Sequence, residues 1–184
     1  MDTASAKDQS PVTNADIWIL ATGGTIDKAY PRMLGGWAFE IAEPAAGSIL
    51  DRVNLNDTYA VQSVCKKDSQ EITSEDRQLL LESCAKARSS KILVTHGTDT
   101  LIETASYLGG RHAELFPEKV VCVVGSMRPE KFVDTDAHFN VGVAFGALSL
   151  ASPGVYVCMN GCVFPHDKVC RDTQTGLFRP VAAA

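Results

Sequence analysis

The sequence predicts an α/β fold with a mainly parallel sheet and helices on both faces. Apolar runs of four or five residues recur along the chain, and several end in a polar turn that contains glycine. Segments with helical periodicity or capping signals lie between them. Strands apolar on both faces that alternate with helices are typical of a covered parallel sheet. With 184 residues, one domain over residues 16–180 is expected, after a polar, mobile tail over residues 1–15.

The first predicted strand, residues 17–21, runs into the turn Thr22-Gly23-Gly24-Thr25. Paired glycines permit a sharp turn and a close approach to the main chain. Thr25 is therefore expected at the carboxyl end of a buried strand, where open α/β sheets bind ligands. A tight turn with a solvated threonine would explain this stretch equally well.

Residues 30–43 contain Pro31, two adjacent glycines and several aromatic residues, and form either a lid over a site or a packed surface loop. A short helix over residues 45–53 and a strand over residues 59–64 follow. That strand leads into the polar segment Lys66-Lys67-Asp68-Ser69-Gln70.

The second half of the chain continues the alternation. Thr73, with Asp76 three residues later, forms a capping-box pattern that predicts a helix ending near residues 89–90. Its buried stripe is expected to be Leu79, Leu80, Cys84 and Ala87. The later predicted elements are a strand over 92–95, a helix over 101–108 ended by Gly109-Gly110, a strand over 120–124, a helix over 139–148 and a strand over 155–159.

Composition excludes several classes of protein. The net charge of -5 argues against a general nucleic-acid binder. No apolar stretch approaches the roughly 20 residues that span a bilayer, and the polar residues 1–14 lack the apolar core of a secretory signal. The six cysteines lie mostly in apolar segments, which favours reduced thiols. A cytoplasmic protein without membrane or nucleic-acid partners is predicted.

Two predicted strands are followed by turns with similar residues, Thr22-Gly23-Gly24-Thr25 and His96-Gly97-Thr98-Asp99-Thr100. A third polar segment, Asp68-Ser69-Gln70, follows another strand. Hydroxyl, amide and carboxylate groups together suit a zwitterion with a carboxylate and an ammonium. A threonine hydroxyl can act as a nucleophile if a base and an oxyanion stabiliser accompany it. The three turns therefore predict a site for a small polar substrate.

Four segments resemble the amino-terminal domain of the bacterial-type L-asparaginases, in the family's order and over residues 17–178. They are Leu20-Ala21-Thr22-Gly23-Gly24-Thr25-Ile26, Thr95-His96-Gly97-Thr98-Asp99-Thr100, Val124-Gly125-Ser126-Met127-Arg128-Pro129 and Asp136-Ala137-His138-Phe139-Asn140. The resemblance implies that Thr25 is the acylated nucleophile. Thr98 would be the second catalytic threonine, which activates water or polarises the amide, and Tyr30 would be the lid tyrosine.

The same resemblance implies the substrate contacts. Ser69 and Gln70 would hold the α-carboxylate and α-amino groups of the substrate, and Asp99 would bind its ammonium. The main-chain carbonyl of Ser126 would face the side-chain amide. Neither a metal nor an organic cofactor is implied.

The chain departs from the family's pattern at the catalytic lysine. Counted from Met159-Asn160, that lysine falls at Arg171, and arginine cannot be deprotonated to relay a proton. Lys168 could take the role if the loop is re-registered. The family's members usually carry a second, carboxyl-terminal domain that lends an acidic residue to a neighbouring subunit's site, so looser substrate binding is expected here.

The predicted function is hydrolysis of the side-chain amide of L-asparagine to aspartate and ammonia through an acyl-threonine. Two alternatives stay open. One is a non-catalytic amino-acid-binding or regulatory protein that keeps the pocket, and the other is an amidase for a different small amide. The resemblance also implies a homo-oligomer, a dimer or tetramer, because the family builds its sites between subunits.

Other motifs predict less. Cys158, Cys162, His166 and Cys170 recur every four residues, but their spacing is not that of a zinc knuckle, so no metal site is predicted. Gly23-Gly24 lacks the third glycine of a dinucleotide fingerprint. His96 and His138 are interpreted as structural histidines. Arg128 is expected to pair with an acidic group, either of the substrate or of the chain, such as Asp136.

Overall fold

The computed structural model describes residues 14–30 and 38–181. The predicted tail therefore lies mostly outside the described residues, as does the centre of the lid loop, and both stay predictions. The strands are β1 Ile17–Gly23, β2 Lys28–Ala29, β3 Glu40–Ile41, β4 Tyr59–Lys67, β5 Lys91–Thr95, β6 Val120–Val124, β7 Gly154–Met159, β8 Cys162–Pro165, β9 Val169–Arg171 and β10 Phe178–Pro180. The α-helices are α1 Ala45–Leu50, α2 Ser74–Lys86, α3 Leu101–Leu115 and α4 Ala137–Leu150.

A six-stranded sheet forms the centre of the domain, in the order β4-β1-β5-β6-β7-β8. The first five strands in this order are parallel, and β8 is antiparallel to β7. Two short antiparallel pairs, β2 with β3 and β9 with β10, lie outside it. The predicted α/β class with a mainly parallel sheet is confirmed.

The core consists of two apolar layers, one on each face of the sheet. Along β5, Ile92 and Val94 belong to the layer that holds residues of α2 and α3, whereas Leu93 belongs to the layer of α1 and α4. All three are fully buried. Successive residues of a strand point to opposite faces, so a strand covered on both sides must be apolar throughout. This is why the apolar runs predicted the strands.

Helix α2 begins as the capping box predicts. The Thr73 hydroxyl accepts from the Asp76 N–H, and the Asp76 carboxylate accepts from the Thr73 N–H at 2.8 Å. The predicted buried stripe is wrong by one position, since Leu79 is 48% exposed and Leu81 is buried. The helix packs against both α3 and the sheet, which turns Leu81 inward.

The prediction that Gly109-Gly110 ends the third helix is wrong, because α3 continues to Leu115. Gly109 faces the segment after β8. A Cβ added to Gly109 would lie 2.2 Å from the His166 ring, so the helix needs glycine there for close packing. Glycine at position 109 is therefore explained by a contact with a residue 57 positions later in the sequence, and not by the end of a helix.

A hairpin that was not predicted reverses the chain at the carboxyl edge of the sheet. Strands β7 and β8 are joined by Asn160-Gly161, both with positive φ, as a two-residue hairpin with the sheet's twist requires. Asn160 also accepts from the Phe178 N–H at 2.9 Å, which ties this turn to β10. The paired strands β9 and β10 then place Arg171 near the turns that follow the parallel strands.

Candidate active site

Turns from four parallel strands meet at the carboxyl edge of the sheet. The turns after β1 and β5 touch through their glycines. A Cβ added to Gly24 would lie 2.3 Å from the Gly97 Cα, so neither position accommodates a side chain without a shift of the main chain. Gly24 also has φ of 87°, which disfavours any other residue. The two threonine-bearing turns that the sequence singles out are therefore direct neighbours.

The turn after β4 joins this pair through Ser69, which is buried. Its hydroxyl accepts from the Asp99 N–H at 3.2 Å, and its carbonyl accepts from the Thr100 hydroxyl at 2.6 Å. A Cβ on Gly97 would lie 2.7 Å from the Ser69 Cβ. Three turns with polar side chains are thus packed together as predicted.

The turn after β6 is in contact with Thr98. A Cβ on Gly125 would lie 3.4 Å from Thr98 Cγ2, and both Thr98 and Ser126 are buried. Asp136, at the start of α4, fixes this turn by accepting from the N–H groups of Met127 and Arg128 at 3.0 and 3.1 Å. Asp136 was not predicted as a positioning residue.

Arg128 forms its ion pair with Asp134, at 2.7 Å. The suggested pairing of Arg128 with Asp136 is therefore wrong, because Asp136 is occupied by main-chain donors at the start of α4. Asn140 completes this arrangement, since its amide nitrogen donates to Asp136 at 2.9 Å and to the Gly125 carbonyl at 3.1 Å.

Asp99 lies between two donors. Arg171 Nη1 donates to one carboxylate oxygen at 2.8 Å, and Gln70 Nε2 donates to the other at 2.7 Å. The Arg171 guanidinium, followed by the Gln70 amide, holds the pKa of Asp99 below its usual range. Lys168 instead lies 3.5 Å from Asp167 with its side chain 70% exposed. Arg171, not Lys168, therefore reaches Asp99.

Thr25 begins a single 3₁₀ turn, Thr25–Asp27, and is half-buried. The Gly24 N–H donates to the Lys67 carbonyl at 2.9 Å and fixes this turn against the end of β4. Tyr30 is 49% exposed, and its ring lies 4.1 Å from that of Phe39. Residues 31–37 are outside the described residues, so the lid role of Tyr30 stays a prediction.

His96 is fully buried beneath the Thr98 turn and serves a structural purpose, as interpreted from the sequence. Nδ1 donates to the Gly97 carbonyl at 2.8 Å, and Nε2 lies 3.0 Å from the Thr104 hydroxyl. Burial lowers the pKa of His96 to about 4, so the ring is neutral near pH 7. It holds Gly97 in place and has no free nitrogen for a substrate. His138 lies on the surface, 3.2 Å from Arg52.

Within residues 14–30 and 38–181, no group of three or more histidine, cysteine, aspartate or glutamate side chains has the geometry to hold a metal ion. The four-residue repeat of cysteine and histidine is divided by the fold. Cys158 is buried in β7, whereas Cys162 and Cys170 are exposed on β8 and β9. Across the same residues, no helix has the length and apolar character needed to cross a membrane.

Asp27 ends the turn that Thr25 begins, and it is buried. Its carboxylate accepts from the Ala45 N–H at 2.8 Å, while its carbonyl accepts from the Ala42 N–H at 2.9 Å. Burial raises the pKa of Asp27 to about 7. Sequence reasoning missed this residue, because an aspartate two positions after a turn usually faces solvent.

We expect Asp27→Asn to stabilise the protein more at pH 8 than at pH 5. An acid whose pKa is higher in the folded protein destabilises the fold as the pH rises through that pKa. The asparagine keeps an acceptor for the Ala45 N–H and has no charge to bury. The gain in the free energy of unfolding should be larger at pH 8 than at pH 5 by on the order of 3 kcal/mol. Urea unfolding at both pH values measures it, and an equal effect at pH 5 and 8 would contradict the role of ionisation.

The arrangement of threonine-bearing turns at the end of a parallel sheet agrees with a match to a protein family. The sequence profile of the family "Asparaginase, N-terminal" matches residues 16–177. The chain therefore belongs to the asparaginase family, within the family's amino-terminal domain. The resemblance of its four motifs to that domain is confirmed.

Individual relatives agree with this assignment. A glutaminase-asparaginase of Pseudomonas aeruginosa is 35% identical over 170 residues, which cover 85% of this chain and 46% of that protein. L-asparaginase 2 of Bacillus subtilis is 29% identical over 185 residues, which cover 95% of this chain and 48% of that protein. The chain spans about half the length of the curated relatives it matches.

Solved structures show the same fold. The thermostable L-asparaginase from Thermococcus kodakarensis superposes with a TM-score of 0.79 at 26% identity, over 91% of this chain and 52% of that one. L-asparaginase I from Vibrio cholerae superposes with a TM-score of 0.74 at 21% identity, over 92% of this chain and 52% of that one. At this identity the likeness shows the fold alone.

Proposed function

We propose that the protein hydrolyses the side-chain amide of L-asparagine to L-aspartate and ammonia through an acyl-threonine. The observation that supports this most is the contact between the two threonine-bearing turns, with Asp99 held beside them. Membership of the asparaginase family and the names of the relatives, asparaginases and glutaminase-asparaginases, support the same class of reaction.

In the first step, the Thr25 oxygen attacks the amide carbon of the substrate. A C–O bond forms, the C–N bond breaks, and ammonia leaves with the proton of the hydroxyl group. In the second step, water attacks the acyl carbon and the bond to Thr25 breaks. One proton of the water returns to Thr25, and aspartate is released. A water molecule held by the Thr98 hydroxyl carries these protons, since arginine at position 171 is always charged.

The substrate contacts follow from the groups that the site leaves available. The Ser69 hydroxyl accepts from the Asp99 N–H, so its own hydrogen can be donated to the α-carboxylate. Gln70 uses its amide nitrogen on Asp99, so its carbonyl oxygen can accept from the α-ammonium. Asp99 contributes negative charge there, and the Ser126 carbonyl faces the amide that is cleaved.

One observation favours a second candidate, an amino-acid-binding protein without turnover. Arg171 pairs with Asp99, where the resemblance implies a lysine, and an arginine carries the charge but cannot relay a proton. An amidase for another small amide is a further alternative. Ammonia release from asparagine, glutamine, acetamide and succinamate tests all three. Release from asparagine supports the proposal, release only from another amide favours the amidase, and no release with L-aspartate binding favours the binding protein.

We also make proposals about the cellular location and the oligomeric state of the protein. We propose a cytoplasmic location. A structural relative of 26% identity is described as a probable cytoplasmic L-asparaginase from Campylobacter jejuni, whereas a Haemophilus influenzae relative is a probable periplasmic one.

We expect the protein to form a homodimer or homotetramer at micromolar concentration. Soluble oligomers are mostly symmetric assemblies of identical chains, and the resemblance implies sites that are built between subunits. Light scattering coupled to size-exclusion chromatography measures the mass, with the specific activity assayed on the same fractions. A monomer with full activity would contradict this expectation.

A further inference from the structure

An ion pair connects the turn of Thr25 to the turn of Ser69. Lys28 lies in β2, three residues after Thr25, and Asp68 directly precedes Ser69. Lys28 Nζ donates to Asp68 Oδ2 at 2.6 Å, with the side chains 28% and 34% exposed. The hydrogen bond from Lys28 holds the pKa of Asp68 below its usual range, so this carboxylate is ionised at neutral pH.

Asp68 also shapes the turn that carries the substrate-binding candidates. It is the N-cap of the 3₁₀ turn Ser69–Glu71, and its carboxylate accepts from the Gln70 N–H. In return, the Glu71 carboxylate accepts from the Asp68 N–H at 3.2 Å. Any shift of Asp68 therefore moves Ser69 and Gln70 with it.

The main chain also links the same two turns, at a point where the strand pairing is irregular. The Gly24 N–H donates to the Lys67 carbonyl, and pairing of β1 with β4 becomes irregular between Ala21 and Gly23. The ladder resumes where Gly23 pairs with Lys67, directly before the two turns. The Lys28–Asp68 pair adds a charged side-chain contact just beyond this irregular end.

We propose that Lys28 and Asp68 are positioning residues that set the distance between the Thr25 hydroxyl and the substrate groups held by Ser69 and Gln70. The proposal rests on the proposed function for its effect on turnover, but its structural part does not. A small misplacement of a bound substrate lowers the rate of the chemical step far more than the affinity. The pair should therefore affect kcat more than KM.

The test uses three variants and one control. Lys28→Gln removes the charge, Lys28→Arg keeps it, and Asp68→Asn keeps an N-cap without the charge. The control is Lys91→Gln, which breaks the ion pair between Lys91 and Asp57 at the opposite end of the strands. The side chains of that pair are 31% and 30% exposed, close to those of Lys28 and Asp68. Hydrogen exchange of the Gly24 and Asp99 amides, kcat and KM for asparagine, and thermal unfolding are measured for each.

In Lys28→Gln and Asp68→Asn, the two amides should exchange about tenfold faster and kcat should fall about tenfold, with KM changed less than threefold. The double variant should be no worse than either single one, because both remove the same interaction. Lys28→Arg should restore most of kcat, and Lys91→Gln should leave exchange and kcat unchanged.

The outcomes separate the two proposals. Faster exchange together with no ammonia release from any variant or the parent supports the positioning role and overturns the proposed function. Exchange in Lys28→Gln equal to that in the control overturns the positioning role, whatever the activity. A lower melting temperature with unchanged kcat overturns it as well, because the pair would then only stabilise the fold.

Discussion

Thr25→Ala should lower ammonia release from asparagine by more than about a thousandfold, because it removes the covalent route. The fold should be retained, since Thr25 is only half-buried and the sharp turn depends on Gly24. L-Aspartate should still bind, because Ser69, Gln70 and Asp99 are unchanged. Turnover measures the first effect, and circular dichroism and calorimetry measure the others.

Thr25→Ser is the matched variant, since it keeps the hydroxyl and loses only a methyl group. It should retain measurable turnover and form an acyl-enzyme of the mass expected for one aspartyl group. If Thr25→Ala were as active as the parent, Thr25 could not be the nucleophile. If Thr25→Ser were as inactive as Thr25→Ala while both bound aspartate, the methyl group would be essential, and the loss in Thr25→Ala could not be assigned to the hydroxyl.

Arg171→Lys should raise kcat at pH 7 by about tenfold or more, because a positioned proton carrier typically contributes at least that much. Arginine holds Asp99 ionised but cannot give up its proton, so the parent depends on water and should become faster as hydroxide becomes available. The affinity for asparagine should change little, since either residue places one positive charge beside Asp99. Rates between pH 6 and 9 measure both effects.

Lys168→Ala is the matched control for Arg171→Lys, since Lys168 is exposed and lies beside Asp167. It should leave kcat unchanged. Loss of activity in Lys168→Ala, with no gain in Arg171→Lys, would show that the loop rearranges and that Lys168 is the relay. An unchanged rate in both, with no ammonia release by the parent, would favour the binding-protein function.

The parallel sheet was predictable because its inner strands β1, β5 and β6 are buried on both faces. Residues 92–94 and 120–124 are uninterrupted apolar runs, and a soluble chain has few other uses for such runs. The turns with Thr25 and Thr98 were predictable for a related reason, because parallel strands bring their carboxyl ends to one edge. The residue types in short stretches of the sequence are therefore enough to predict both the inner strands and these two turns.

What the sequence did not predict depends on contacts between distant residues. Gly109 was taken as a helix end, and only the packed ring of His166 explains glycine within α3. Strands β8 to β10 have three or four residues and exposed positions, so their composition resembles that of loops. Arg171 was placed by counting against the family's motif, and its contact with Asp99, 72 positions away, follows from no local pattern.

The order of the strands in the sheet determines when the site can form during folding. Strands β1 and β5 are neighbours in the sheet, so the Gly24–Gly97 contact joins residues 73 positions apart in the sequence. The Asp99–Arg171 ion pair requires the later strands as well. Contacts between distant positions form late, because the closure of long loops costs entropy before they are gained. A nascent chain released from the ribosome only up to β6 can have paired its central strands, yet it cannot have assembled the charged centre of the site.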